Sequence, residues 1–309
     1  MKIFLTGASG LVGAAFAAAA AQRGHTVIGT VGRFPNPIPG LAEQAQADLL
    51  NRDVVTRLVL DAFPEAIVNC AAISEPAACE ADPTGSERMN VELPATLAEL
   101  ARHLHARLLH LSSEQVFDGE RAAPYSVTDP PSPINTYGRQ KVASERAVLS
   151  TAPTLAAVVR APLLMGDSPG GRRSVHERLL GDWAAGRTAR LYTDEFRQPC
   201  TATSLADVLL ELVERPEACG AFHWAGAELL SRHELGRRLR EHFKLRDADA
   251  PIVAVTRAEA PETARQRHAC LALDLAPLPG RLKARPQSLA EQLTTLKVPP
   301  PVRDWYRSL

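Results

Sequence analysis

The sequence predicts an α/β protein, a doubly wound parallel sheet with a smaller C-terminal α/β domain. Three observations predict it. Short β-branched or Leu-rich runs alternate with longer helical patterns through the first half of the chain, the order that a parallel sheet wrapped by helices produces. Those runs are apolar nearly throughout, as strands covered on both faces must be. The length, 309 residues, corresponds to about two domains at roughly 150 residues each.

The elements follow in order. Lys2–Leu5 is the first strand, and the Ala-rich stretch from Leu11 to Ala21 is the helix after it. Thr26–Ile28 is the second strand. Asn51 offers a side-chain cap to a helix in which Val54, Val55, Leu58 and Val59 share one face. Strands at Ala66–Asn69 and Arg107–Leu111 flank a helix whose Leu93, Leu97, Leu100 and Leu104 make one apolar stripe, and Leu155–Arg160 is a further strand. Beyond Arg160 the texture changes. The stretches 124–133 and 166–173 read as loops, and helices are expected near Leu179–Ala185, Leu205–Glu214 and Ser231–His242. Ser231-Arg232-His233-Glu234 has the form of a capping box, and Asp207 reads as a helix-start carboxylate. The Pro-, Leu- and basic-rich stretch from Pro277 onward is expected to wrap over the second domain.

Composition excludes several function classes. Lys+Arg number 35 and Asp+Glu number 35, so there is no basic excess to mark a nucleic-acid partner. Five cysteines (Cys70, Cys79, Cys200, Cys219, Cys270) contain no C-x-x-C pair and fit reduced thiols in a cytoplasm. His103 and His105, two apart, point away from each other on a helix, and no metal site is expected. Met1-Lys2 runs directly into the first strand, which predicts no secretory leader. Leu11–Ala21 is about half the ~20 residues of a membrane span. The expectation is a soluble cytoplasmic protein with no membrane partner.

Thr6-Gly7-Ala8-Ser9-Gly10-Leu11-Val12-Gly13 joins the first strand to the first helix. Glycines in this position allow a tight turn, a close backbone approach to a pyrophosphate, and a helix lying close to the sheet. The helix N-terminus then presents N–H groups and a positive dipole end to the anion. The spacing is G-x-x-G-x-x-G, and its place between strand and helix favours a dinucleotide site over a plain turn. After the second strand, an enzyme for NAD normally places an acid for the ribose 2′-hydroxyl. Here Gly29-Thr30-Val31-Gly32-Arg33 follows instead. A guanidinium forks onto phosphate, so Arg33 favours NADP(H) over NAD(H).

Tyr137 and Lys141, at i and i+4 in Tyr137-Gly138-Arg139-Gln140-Lys141, share one helix face. A nearby ammonium is expected to lower the phenol pKa toward neutrality, so that Tyr137 exchanges a proton with a carbonyl or alcohol oxygen. Ser112-Ser113 ends the strand that begins at Arg107, and the carboxyl ends of parallel strands are where such sheets bind ligands.

With these motifs the sequence resembles the extended short-chain dehydrogenase/reductases, a Rossmann-fold superfamily. The resemblance runs over nearly the whole chain: the glycine turn, Val68-Asn69-Cys70-Ala71-Ala72, Met89-Asn90-Val91, Ser112 through Gly119, Pro124-Tyr125, and Asn135 through Glu145. Val116-Phe117-Asp118-Gly119 resembles the dTDP-4-dehydrorhamnose reductase branch. That branch includes the regulatory β subunit of methionine adenosyltransferase, which Gly220 through Gly226 also resembles.

The resemblance implies an NADP-binding domain over 1–165 and a mainly substrate-binding domain over 166–309, with part of 198–225 returning to the first. It implies Tyr137 as general acid, Lys141 as holder of the nicotinamide ribose, and Ser113 as the group that orients the carbonyl. The cofactor would meet Gly7, Ser9, Gly10, Leu11, Val12, Gly13, Arg33, Asp48, Leu49, Ala71, Ala72 and Asn90, besides Tyr137 and Lys141. Two departures stand out: Gln115 replaces a tyrosine, and Leu163 lies where the rhamnose reductases carry a tryptophan near the sugar. Arg172-Arg173 reads equally as a grip on a substrate diphosphate or as a solvated loop, and His223-Trp224 as core.

The expected function is NADPH-dependent reduction of a keto-sugar, nucleotide-linked, with a homodimer as the candidate assembly. The rival readings are a non-catalytic NADP-binding regulatory subunit and a sugar-nucleotide epimerase or dehydratase, for which Glu114 is the candidate extra acid.

Overall fold

Apolar runs of four to seven residues cannot bury themselves as isolated strands, and in this chain they pair edge to edge into one sheet. The computed structural model describes residues 1–259, 267–278 and 280–309. The first half runs β1 (Lys2–Thr6), α1 (Leu11–Gln22), β2 (Thr26–Val31), β3 (Glu43–Gln46), α2 (Arg52–Ala62), β4 (Ala66–Asn69), α3 (Pro76–Ala81), α4 (Pro83–Glu87), α5 (Leu93–Leu104), β5 (Arg107–Ser113), α6 (Thr136–Thr151) and β6 (Ala156–Ala161). A π-helical turn, Arg88–Glu92, joins α4 to α5.

The second half adds β7 (Leu164–Met165), α7 (Val175–Ala184), β8 (Ala189–Tyr192), β9 (Phe196–Arg197), β10 (Cys200–Thr201), α8 (Ala202–Val213) and β11 (Gly220–His223). It continues with β12 (Leu230–Ser231), α9 (Arg232–His242), β13 (Ile252–Val255), β14 (Cys270–Leu271), α10 (Leu289–Leu293) and α11 (Arg303–Arg307).

Seven parallel strands form the main sheet in the order β11-β6-β5-β4-β1-β2-β3. This is the doubly wound α/β fold. Chain direction across the sheet reverses between β1 and β4, and ligands of such sheets bind at the carboxyl ends beside that switch. One face is covered by α1 and α8, where Phe16, Leu205, Leu209 and Trp224 are buried. The other is covered by α2, α5 and α6, through Val55, Val59, Leu93, Leu97 and Val148. β11 joins β6 although some sixty residues separate them, and Arg107 fastens that edge. Its buried guanidinium donates to Leu155 O (3.1 Å) on one side and Leu212 O (3.3 Å) on the other.

The later residues build short sheets of two and three strands and a separate apolar cluster around Leu179, Trp183, Leu235, Leu239 and Leu289. Three expectations need correction, and β3 is a strand that the sequence pattern does not predict. β3, Glu-Gln-Ala-Gln, has no apolar pattern because it is a half-exposed edge strand. Asp207 does not start a helix: α8 begins at Ala202 on a Thr201 cap, which places Asp207 in its second turn. Ser231 accepts from Glu234 N (3.0 Å), but the Glu234 carboxylate turns to Arg237 and Arg238, so the box is half formed. The complete capping boxes are Ser174/Glu177 and Ser288/Glu291. The stretch after Pro277 covers both cores, with Leu278 in the sheet's cluster and Leu289 and Val302 in the later one.

Asn51 caps α2 by accepting from Asp53 N (3.1 Å) and Val54 N (3.2 Å). Asn51→Ala is expected to cost about 1 kcal/mol, read as a lower midpoint in urea with an unchanged slope. An unaltered midpoint would mean that water replaces the cap at no cost.

Candidate functional site

The glycine turn is forced by contact. A Cβ on Gly13 would stand 2.2 Å from Gly7 O, and Gly7 itself has φ +69° and lies against the Ala71 backbone. The N-cap of α1 is Gly10, which brings no side chain to the first-turn N–H groups. Those donors and the positive end of the helix dipole remain for an anion. Ser9, Gly10 and Leu11 are half-exposed at this end, with Val12 and Gly13 buried beneath.

Ala71 and Ala72 follow β4 on the neighbouring side of the switch point. Ala71 N donates to Asn69 Oδ1 (3.2 Å), which also accepts from Thr6 Oγ1 (2.6 Å). Arg33 is exposed just past β2. Asp48 Oδ1 accepts from Leu50 N (3.0 Å), and Leu49 packs partly buried on the second core.

Asn90 departs from its expected place. It is fully buried and its amide is spent on protein: Oδ1 accepts from Ile73 N (2.9 Å), and Nδ2 donates to Ile73 O (3.0 Å) and Gln140 Oε1 (2.8 Å). It shapes the loop after Ala72 and ties it to α6 rather than presenting a group to a ligand.

Ser113, Tyr137 and Lys141 come together at the carboxyl end of β5, exposed by only 7%, 6% and 2%. Ser113 Oγ accepts from Gln115 N (3.2 Å). Asn135 caps α6 by accepting from Gly138 N (2.8 Å), which fixes the helix start and so Tyr137. Lys141 Nζ donates to Leu111 O (2.9 Å) and stands 5.8 Å from the Tyr137 ring centroid.

The electrostatics reverse one expectation. Burial raises the Tyr137 phenol above its usual range, and Ser113 pulls it only part of the way back. Desolvation of the phenolate outweighs the distant ammonium. Tyr137 therefore carries its proton at neutral pH. Burial also brings Lys141 down to about 8, against the opposing Glu145 carboxylate.

Motif matching left several neighbours without a place. Gln115 Oε1 accepts from Asn135 Nδ2 (3.0 Å) and so supports the α6 cap. In the Val-Phe-Asp-Gly element, Asp118 accepts from Tyr125 OH, and Phe117 stacks on the Tyr125 ring at 4.3 Å. That element locks a loop. His223 and Trp224 are fully buried in the core. Arg172 lines a cavity of about 510 Å³ between α7 and Pro301-Val302, which none of Ser113, Tyr137 and Lys141 touches.

Glu114, next to Ser113, is buried and paired with Arg197 (3.2 Å). Burial raises its carboxyl to about 8, opposed by Arg197 and reinforced by Glu195. Its Oε2 has no hydrogen-bond partner among the described residues. Among those residues no three metal-ligating side chains converge, and no helix is long and apolar enough to cross a membrane.

A doubly wound sheet with a glycine turn after β1 and a Ser-Tyr-Lys set at the end of β5 defines an extended short-chain dehydrogenase/reductase. Within that class, the chain belongs to the family described as the RmlD substrate binding domain, which matches residues 1–295. It is 30% identical over 267 residues to methionine adenosyltransferase 2 subunit beta of Rattus norvegicus, covering 83% of this chain and 78% of that protein. It is 32% identical over 239 residues to the dTDP-4-dehydrorhamnose reductase of Mycolicibacterium smegmatis, covering 76% and 67%. The crystal structure of a dTDP-4-dehydrorhamnose reductase from Clostridium acetobutylicum superposes with a TM-score of 0.81 at 23% identity, over 95% of this chain and 97% of that one.

Glu114 generates a pH prediction. Its carboxyl lies at about 8 when folded and at about 4.3 when unfolded, so the folded chain binds the proton more tightly. That contribution is complete below about 4.3 and lost as pH rises through about 8. In urea melts across this window, Glu114→Gln should gain stability relative to the parent as pH rises. A difference that stays constant with pH would refute the raised value.

Proposed function

We propose that this chain is an NADPH-dependent reductase of a keto-sugar, the sugar being carried on a nucleotide. The observation that carries the reading is Tyr137, protonated and buried beside Ser113 and Lys141, at the carboxyl edge next to the glycine turn. The relatives named as dTDP-4-dehydrorhamnose reductases support the substrate class.

The residues present fit the cofactor. Gly7 and Gly13 let the turn close tightly against the sheet and Gly10 caps α1 with no side chain, so the turn of Gly7, Ser9, Gly10, Leu11, Val12 and Gly13 would offer first-turn N–H groups to a pyrophosphate. Ala71 and Ala72 would line its other side, with Asp48 and Leu49 toward the adenine and Arg33 toward a 2′-phosphate. When bound, NADPH would supply a hydride to the substrate's carbonyl carbon.

The chain's own part is the oxygen. Ser113 would hydrogen-bond the carbonyl oxygen and stabilise the negative charge that develops on it. Tyr137, raised by burial, would give that oxygen its proton, leaving a phenolate that the Lys141 ammonium stabilises. We assign the cofactor to residues 1–165 and the sugar nucleotide mainly to 166–309, with part of 198–225 belonging to the first.

A second reading, a regulatory subunit that binds NADP without turnover, is favoured by the methionine adenosyltransferase β relatives and by Leu163 in place of a stacking tryptophan.

Two outcomes are expected. NADPH should bind at least about tenfold more tightly than NADH, since one charge-assisted contact is worth about 1.5–3 kcal/mol. Fluorescence titration checks this, and a preference that survives in Arg33→Ala would remove Arg33 from the site. Across a panel of keto-sugar nucleotides the protein should oxidise NADPH, and Tyr137→Phe should slow turnover by about 10²-fold or more. Absence of turnover on the whole panel, with a complex that alters a methionine adenosyltransferase catalytic subunit, would establish the second reading.

A further inference from the structure

Tyr137, Lys141 and Glu145 stand one helical turn apart and form a single buried stripe on α6. The first two have a place in the reaction; Glu145 does not. Its carboxylate is held from two strands. Ser112 Oγ, on β5, donates to Oε1, and Arg160, on β6, forks onto it with Nε at 3.0 Å and Nη2 at 2.7 Å.

Arg160 is fixed in turn. Its Nη1 donates to Val127 O (3.4 Å) and His223 Nε2 (3.2 Å), and its guanidinium carbon lies 5.1 Å from the Phe117 ring centroid. His223 Nδ1 donates to Asp274 O (3.0 Å). Burial, with Arg160 adjacent, brings the His223 ring down to about 4, so it accepts from the guanidinium as a neutral base. Both side chains of the ion pair are 5% exposed. Well-packed apolar residues of the same volume would often serve stability as well or better, so the pair calls for another role.

Lys141 supplies one. Besides Tyr137 and Glu145 on its own helix, the groups coupled to its charge are Cys70 after β4, Cys79 on α3 and His110 on β5. Burial raises Cys70 to about 12, raises the Cys79 thiol and the Tyr137 phenol, and lowers the His110 ring. All four are neutral near pH 7. His110 bonds as a neutral ring, Nδ1 accepting from Asn69 Nδ2 (3.1 Å) and Nε2 donating to Ser144 Oγ (3.0 Å). Among the described residues coupled to Lys141, Glu145 is thus the one carboxylate, with Arg160 behind it.

We propose that Glu145 is a positioning residue, whose carboxylate, anchored by Ser112 and Arg160, keeps the buried Lys141 ammonium protonated for its contact with the cofactor ribose. This rests on the NADPH site given under Proposed function, with Lys141 as the holder of the nicotinamide ribose that the family resemblance implies. Glu145 touches no reacting atom; it acts through Lys141.

The test is NADPH affinity, by fluorescence, across pH 6 to 9.5. The parent should bind evenly at low pH and weaken above about pH 8, as Lys141 loses its proton. Glu145→Gln leaves the Arg160 cation uncompensated, and the weakening should begin about one pH unit lower, which is roughly threefold in affinity near pH 7.5. Glu145→Asp, which retains the charge, should restore the parent profile. A structural role alone would lower the melting temperature and leave the profile in place.

Should Glu145→Gln fail to fold, Glu145→Gln with Arg160→Gln removes the pair together and should still move the profile down, by less. A profile at the parent's pH in the folded variants overturns the proposal. Lys141→Met should abolish the weakening; if it persists there, the reading of Lys141 itself fails, and this inference with it.

Discussion

The structure is organised around one buried cation. Lys141 lies among neutral neighbours, with a single carbonyl, Leu111 O, within hydrogen-bond reach and no ion pair among the described residues. An ammonium withdrawn from water this far tends to lose its proton, and several features around it oppose that tendency. The Leu111 carbonyl comes from the end of β5, so strand and helix must hold their register to within a fraction of an ångström. Glu145 adds its field one turn along. The network through Thr6, Asn69, His110 and Ser144 then ties the end of β1, the end of β4, the middle of β5 and the helix that carries Lys141 into one polar unit.

The same network links two halves of the candidate site that are far apart in sequence. Thr6 precedes the glycine turn, and Ser144 donates to the carbonyl of Lys141 (2.8 Å). The groups suited to a pyrophosphate and the groups suited to the reacting oxygen are therefore held by one set of buried hydrogen bonds, where partial satisfaction would be costly. Gly7 and Gly13 do the corresponding work by contact, since only their missing side chains let α1 approach the sheet beside Ala71. Asn90 serves from the other side, fixing the loop after Ala72 and reaching Gln140 on α6.

Family motifs proved to be of two kinds. The glycine turn and the Tyr-Lys pair lie at the carboxyl edge of the sheet, at the ends of β1 and β5. Val-Phe-Asp-Gly, which most clearly points to the rhamnose-reductase branch, instead fastens a loop through Asp118, Phe117 and Tyr125. Its match is therefore informative about ancestry and fold, and less so about substrate. Gln115, one of the two departures from the pattern of that branch, likewise serves the fold, through the Asn135 cap of α6.

The parallel α/β class, five of the seven sheet strands and the placing of Tyr137 and Lys141 on one helix face were legible in the sequence. Those features rest on local signals: apolar runs, helical spacing of leucines, a glycine turn between strand and helix, and a phenol and an ammonium four residues apart. Tertiary structure alone decided the rest. β3 is polar because it is an edge, and β11 is a sheet strand because β6, some sixty residues earlier, receives it. Spacing gives Tyr137 the proximity of a cation but not the depth of burial, which raises its phenol. The hydrogen-bond partners of Asn90 and Glu145 lie fifteen to fifty residues away. Desolvation and long-range pairing depend on what the whole chain brings to one place, and no local pattern carries that.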